Sequence, residues 1–217
     1  MATFGPEVWA IAWLTLRVTG TALLLAALPG VPLGAWLGLA RFPGRRAVTA
    51  LLYTGMGLPP VVVGLAVYLL LSRSGPLGGL GWLFTPPAMV LAQAVIAFPL
   101  VAGVTMTAVA AVPPELLLQV RSLGAGPWQA RAAVLREARA GVLVALAAAF
   151  GRGIAEVGAA LLVGGNIQGH TRVLTTAIVL ETGKGEFALA LALAGWLLAL
   201  ALAVNAAVLA LHGGPQP

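Results

Sequence analysis

The sequence predicts an all-α, polytopic membrane bundle of about five transmembrane helices. Three observations carry this. The 217 residues are 60% hydrophobic and 8% charged, too few charges to cover a water-facing surface. Apolar runs near the ~20 residues that cross a bilayer as a helix recur along the chain. Sustained apolar–polar alternation is absent, which argues against a membrane β-barrel.

Spans are expected at about 8–40, 48–71, 88–111, 141–163 and 187–211, within a single domain of residues 1–217. Trp9 and Trp13 suit an interfacial start to the first, and Arg17 can snorkel outward there. Pro29 and Pro32, with Gly30 and Gly34, are expected to kink it, and the basic turn Arg41-Phe42-Pro43-Gly44-Arg45-Arg46 ends it. The second span contains Gly55-Met56-Gly57-Leu58-Pro59-Pro60, which cannot be regular helix throughout. A broken helix lining a cavity and a simple proline kink both satisfy that stretch.

Residues 72–87 read as a Gly/Pro-rich loop, and the third span is expected to be interrupted at Pro99. The fourth carries small residues at four-residue spacing, Gly141, Ala145, Ala149 and Gly153, and again Gly151, Ala155 and Ala159. Such stripes let helices approach closely. Residues 164–186 form a second polar region, in which Val173–Leu180 is too short to span. Asn205 lies near the end of the fifth span, and the segment from His212 onward reads as a loose tail.

Charge sets the expected orientation. With the N-terminus outside, seven arginines fall in inner loops, at 41, 45, 46, 121, 131, 136 and 139. Four cations, Arg17, Arg73, Arg172 and Lys184, fall on the outer side. The positive-inside rule then places residues 112–140 and the C-terminus in the cytoplasm of a multi-pass cell-membrane protein. The net charge of +6 does not point to nucleic acid, because the cations sit in short loops between apolar spans. A cleaved secretory signal is not expected, since Glu7 is the only charge before Arg17.

Several chemistries are excluded. The chain has no Cys and no Asp, Ser only at 72, 74 and 122, and His only at 170 and 212. Neither a catalytic triad nor a metal-ligand cluster can be assembled, so no catalytic or metal residue is assigned. The single lysine, Lys184, lacks the upstream glycine and the following Ser or Thr of a phosphate-binding loop. The chain therefore needs no cofactor of its own, and any ATP-driven action requires another subunit.

The most polar stretch is residues 112–140. Leu116, Leu117, Val120 and Leu123 share one face of a short helix. Gly124 follows where a left-handed terminal residue would sit, and Pro127 suits the first position of a new helix. Trp128, Ala132, Leu135 and Val142 line one face of that second helix. Two short amphipathic helices between membrane spans form a surface for another protein to hold.

Arg152 and Glu156 are an ionisable pair within a span, one turn apart. They read either as a pathway or gate element or as a neutralised pair locking two helices. Asn166, His170 and Arg172 lie in the outer polar region, where a solvated loop is the plainer reading.

Arg121-Ser122-Leu123-Gly124-Ala125, with Trp128 after it, resembles the cytoplasmic loop of importer-type ATP-binding cassette permeases. The family's glutamate position falls at Leu118, with Glu115 three residues earlier, and its Leu-Pro falls at Arg136-Glu137. Leu58-Pro59-Pro60-Val61-Val62-Val63-Gly64 and Gly153-Ile154-Ala155-Glu156-Val157-Gly158-Ala159 look like segments of molybdate and tungstate permeases. The long run from Val163 to Thr182 is most similar to the tungstate permeases.

The resemblance implies a type I ABC importer transmembrane domain working as a homodimer by alternating access. It implies two cytoplasmic ATPase subunits, which use ATP and Mg, docked on residues 115–131, and an extracytoplasmic oxyanion-binding protein. The coupling residues it implies are Glu115, Gln119, Arg121, Ser122, Leu123, Gly124, Ala125 and Trp128. Arg152, Glu156, Asn166 and Arg172 are the candidates for the pathway or its gate. Tungstate is the expected cargo, with molybdate or sulfate as the alternative. An intramembrane lipid-modifying enzyme is the rival of a different class, disfavoured by the scarcity of Asp, Ser and His. A purely structural membrane protein is disfavoured by the paired docking helices.

Overall fold

Two long helices frame the protein. In the computed structural model, which describes residues 5–211, α1 (Pro6–Leu39) and α4 (Pro86–Ala110) pack against each other over most of their length. Gly30, Gly34 and Gly38 on α1 make this possible. A Cβ at Gly34 would fall on the Ala102 carbonyl and 2.8 Å from Thr105 Cβ, and one at Gly38 would lie 2.7 Å from Val109 Cγ1. Glycines at four-residue spacing thus bring one backbone onto the other, the way apolar helices associate when lipid offers no hydrophobic penalty.

Both long helices run through their prolines. Pro29 and Pro32 sit inside α1, and Pro99 inside α4, so the expected interruption at Pro99 is absent. Pro29 and Pro32 are exposed on the side of α1 away from the glycine face, while Pro99 is buried and packs 2.9 Å from the position of a Cβ on Gly55. Neighbouring helices hold such a segment in shape despite the lost N–H groups.

The second and fourth spans are broken. α2 (Arg45–Met56) and α3 (Pro60–Leu71) meet at 96°. α7 (Arg139–Ile154) and α8 (Gly158–Gly164) meet at 60°. Three helices are long and apolar enough to cross a membrane, α1, α4 and α10 (Phe187–Leu211), and each bent pair can supply one more crossing, giving up to five. Among the described residues the elements are ten α-helices and a 3-10 turn at Gly78–Leu80, with no strand. The tail from residue 212 lies outside the described residues.

The first small-residue stripe packs as expected. A Cβ on Gly141 would meet Ala108, Ala145 and Ala149 are buried, and Gly153 lies against Thr19. The second stripe does not survive, because the break separates Gly151 and Ala155 from Ala159. α9 (Leu174–Gly183) is too short to span, as expected, and packs with α10 and the start of α1 through Val8, Ala12, Ala177 and Leu193. Trp9 and Trp196 meet edge to face at 4.7 Å there.

Gly34→Leu should destabilise the protein by about 1–3 kcal/mol or more, because the Ala102 backbone cannot rotate away. Gly20→Leu is the control, since a Cβ there meets nothing within 4 Å. Thermal unfolding in detergent compares them, and equal melting temperatures for the two variants would contradict the α1–α4 packing.

Candidate functional site

The two helix breaks lie side by side. α2 ends with the Gly57 N–H shared among the carbonyls of Tyr53, Thr54 and Gly55, and Pro59 precedes α3 in extended conformation. Across from it, α7 ends at Ile154. Arg152 reaches from α7 to the first break, where Nη2 donates to the Leu58 carbonyl at 3.4 Å. Beyond the breaks α3 and α8 pack backbone to backbone: a Cβ on Gly64 would lie 2.7 Å from Ala159 Cα, and one on Gly158 2.6 Å from Val61 Cγ2. Irregular backbone at membrane depth is stable only when buried in protein or facing a cavity.

Glu156 sits in the second break and is buried. Its Oε1 accepts the Ala159 N–H at 2.9 Å, satisfying an orphan donor at the start of α8. Its backbone carbonyl accepts Thr175 Oγ1 at 2.8 Å, which ties the break to α9. Arg152 and Glu156 therefore do not form the expected pair. The helix ends between them, and among the described residues the ion pair is Lys184–Glu181, at 2.8 Å. The Arg152 guanidinium has no carboxylate partner among the described residues.

Two residues beside this junction escaped the sequence reading. Gln93 of α4 and Thr19 of α1 are buried, and among the described residues Gln93 Oε1 and Thr19 Oγ1 have no hydrogen-bond partner. Both lie next to Gly153, whose Cβ would stand 3.0 Å from Thr19 Cγ2 and 3.7 Å from Gln93 Oε1. The available signal was a lone glutamine in the apolar run of α4.

Asn166 and Arg172 do come together, in the loop between α8 and α9. Asn166 has a left-handed backbone (φ 51°), and Arg172 Nη2 donates to its carbonyl at 3.5 Å. Asn166 Nδ2 donates to the Thr176 carbonyl, while Asn166 Oδ1 and Arg172 Nε are buried without partners among the described residues. Thr171 Oγ1 accepts the Ile167 N–H and donates to the Gly164 carbonyl, which closes the loop. His170 is exposed.

The polar stretch forms α5 (Pro114–Ser122) and α6 (Pro127–Glu137). Gly124 is left-handed (φ 86°), and two bonds cap α5: Ala125 N–H to the Val120 carbonyl and Gly124 N–H to the Arg121 carbonyl, both 3.0 Å. Gln129 Oε1 accepts the Gly126 N–H at 2.8 Å and caps α6. Glu115, Gln119, Arg121, Ser122, Leu123 and Gly124 are exposed, and Ala125 is half-buried. The apolar face expected for α6 is on the wrong side. Ala130, Val134 and Ala138 are buried, whereas Trp128 (79% exposed), Ala132 and Leu135 face outward. Leu123 is likewise 86% exposed.

Glu156→Ala should destabilise the protein by about 1 kcal/mol through loss of the α8 cap. Glu156→Gln keeps an acceptor and should remain close to the parent. Melting curves in detergent check this, and an equal loss in both variants would mean that the charge, and not the cap, is what counts.

The family profile described as "Binding-protein-dependent transport system inner membrane component" matches residues 30–212. The chain is 40% identical to the tungstate uptake system permease protein TupB of Peptoclostridium acidaminophilum, over 98% of this chain and 93% of that one. It is 46% identical to a probable anion ABC transporter permease protein of Haloferax volcanii, over 90% of this chain and 87% of that one. With the molybdenum transport system permease protein ModB of Escherichia coli K12 it shares 34% identity over 83% of each chain. Its fold is that of a chain of the inward-facing MetNI methionine ABC transporter, with TM-score 0.77 at 21% identity over 96% of this chain and 97% of that one. This chain belongs to the family of binding-protein-dependent ABC importer permeases.

Proposed function

We propose that two copies of this chain form the membrane pathway of an ATP-driven tungstate importer. An extracytoplasmic protein delivers the oxyanion, and two cytoplasmic ATPase subunits dock on α5 and α6. The observation that carries the cargo is the 40% identity to a tungstate permease over nearly the whole chain. Molybdate is the second reading, favoured by the 34% identity to ModB. The N-terminus lies outside and the C-terminus in the cytoplasm, a reading supported by the arginine asymmetry. Cysteines placed at Ser74 and Ser122 should then label from opposite sides of intact cells, and labelling of both from outside would reverse or discard the topology.

Arg152 serves the pathway. Its guanidinium lies at the junction of two broken helices and carries no carboxylate neighbour among the described residues. In a low-dielectric setting such a cation attracts an oxyanion strongly, and its hydrogen bond to the Leu58 carbonyl holds it at the break. Glu156 shapes the break by capping α8 and does not neutralise Arg152. Asn166 and Arg172 form a second polar station on the outer side, where an unpartnered guanidinium N–H and amide oxygen are available if the loop opens.

Closure of the ATPase dimer would move α5 and α6 as a unit, because the Gly124 cap fixes their mutual angle. The test is uptake into proteoliposomes holding this chain, its ATPase and its binding protein, with tungstate, molybdate and sulfate compared. ATP-dependent tungstate uptake above the other two is expected, and faster molybdate or sulfate entry overturns the cargo. In the same preparation Gly124→Val should remain in the membrane yet lose stimulated ATPase activity, since a side chain at φ 86° costs about 1–2 kcal/mol. Normal coupling in that variant would remove the docking role of this turn.

A further inference from the structure

We propose that the groove between the end of α1 and the helices α5 and α6 binds an anionic phospholipid. It is a cavity of about 580 Å³. Pro32, Ala35, Trp36 and Leu39 of α1 form one wall, and Leu117 and Leu135 face them from α5 and α6. Arg121, Trp128 and Arg131 complete the lining, and the Arg131 guanidinium lies over the Trp128 ring at 5.2 Å. This is where the apolar stripe of α6 goes. Trp128, Ala132 and Leu135 point into the groove instead of into the protein core.

A second hollow adjoins it. Trp36 stacks on Phe42 at 4.9 Å, and Phe42 belongs to a basic turn enclosing about 380 Å³ with Arg41, Gly44, Arg45 and Arg46. Arg45 is pinned there by its Nε donating to the Leu37 carbonyl at 3.0 Å. Five arginines thus line two hollows linked by the Trp36–Phe42 stack, and no carboxylate lines either. None of the five has a carboxylate partner among the described residues.

The shape selects the ligand. Pro32 lies seven residues before the end of α1, roughly 10 Å along the helix, so the apolar wall runs from the basic end back toward the middle of that span. An acyl chain can follow that wall while its headgroup stays at the arginines. A small free anion has no use for the apolar wall. A molecule with an apolar tail and a negative headgroup satisfies both parts, as basic pockets beside transmembrane helices do at cytoplasmic membrane surfaces. The same helices are the proposed ATPase dock, so a lipid here would bias their position against α1. The lipid site rests on the proposed orientation and on no particular cargo, so failure of tungstate uptake would leave it standing.

The test is photocrosslinking of the full-length chain in nanodiscs of phosphatidylcholine with phosphatidylglycerol. The probes are phosphatidylglycerol and phosphatidylcholine, each carrying a photoreactive acyl chain. Phosphatidylglycerol should label peptides containing residues 32–39 and 128–135 several-fold more than phosphatidylcholine. That comparison uses the unaltered protein and so does not depend on any variant folding. Arg121→Gln and Arg131→Gln should each lower labelling roughly fivefold, the effect of removing one interfacial cation. Ala35→Trp, which fills the groove, should lower it with both arginines intact. Equal labelling by the two probes, or unchanged labelling in all three variants, overturns the proposal. So does complete protection by the ATPase subunit, which would make the groove a protein interface.

Discussion

The close approach of α1 to α4 is the constraint on which the rest of the protein depends. Side chains at Gly30, Gly34 or Gly38 would hold the two backbones apart. α7 then packs its own small residues, Gly141, Ala145, Ala149 and Gly153, against the same pair. α2 joins through Gly55 on Pro99, and Gly103 admits Met56. Glycine and alanine, more than large apolar side chains, therefore set the geometry. In a bilayer, burying leucine between helices gains little over leaving it in lipid, so dispersion at short range decides.

That rigid frame lets the other two spans be broken. A break exposes backbone groups that lipid cannot satisfy. Here the protein supplies partners from elsewhere in the chain: Arg152 for the Leu58 carbonyl, Glu156 for the Ala159 N–H, and Thr175 for the Glu156 carbonyl. The two breaks need each other, since Gly64 and Gly158 seat α3 on α8 just beyond them. A shift of α7 relative to α2 would disturb the Arg152 bond first, because it is the longest of the three.

The polar helices α5 and α6 show the opposite arrangement. α5 and α6 are held to each other by a well-formed cap at Gly124, yet much of their apolar surface is left outside. Leu123 and Trp128 cannot remain in water without cost, which is about 25 cal/mol per Å² of apolar area. That exposed apolar surface is what a docking partner of the kind proposed above would cover.

The sequence by itself determined the helical membrane class and the left-handed turn at Gly124, because length, hydropathy and glycine placement act locally. It marked the Gly55–Pro60 stretch as irregular, since consecutive prolines remove backbone donors wherever they occur. The fate of the other prolines was not legible. Pro29, Pro32 and Pro99 carry the same local penalty, and only neighbouring helices decide that those helices continue. The Arg152–Glu156 spacing fits a paired face only for an unbroken helix, and the chain breaks at 155–157, just before α8 packs on α3. Periodicity found the apolar stripe of α6 but not its direction, because a helix has no inside until another element covers it. Tertiary structure placed Ala130 and Val134 inward and left Trp128 and Leu135 facing out, with Val134 packed among Val109 of α4, Ala35 and Leu39 of α1 and Leu117 of α5.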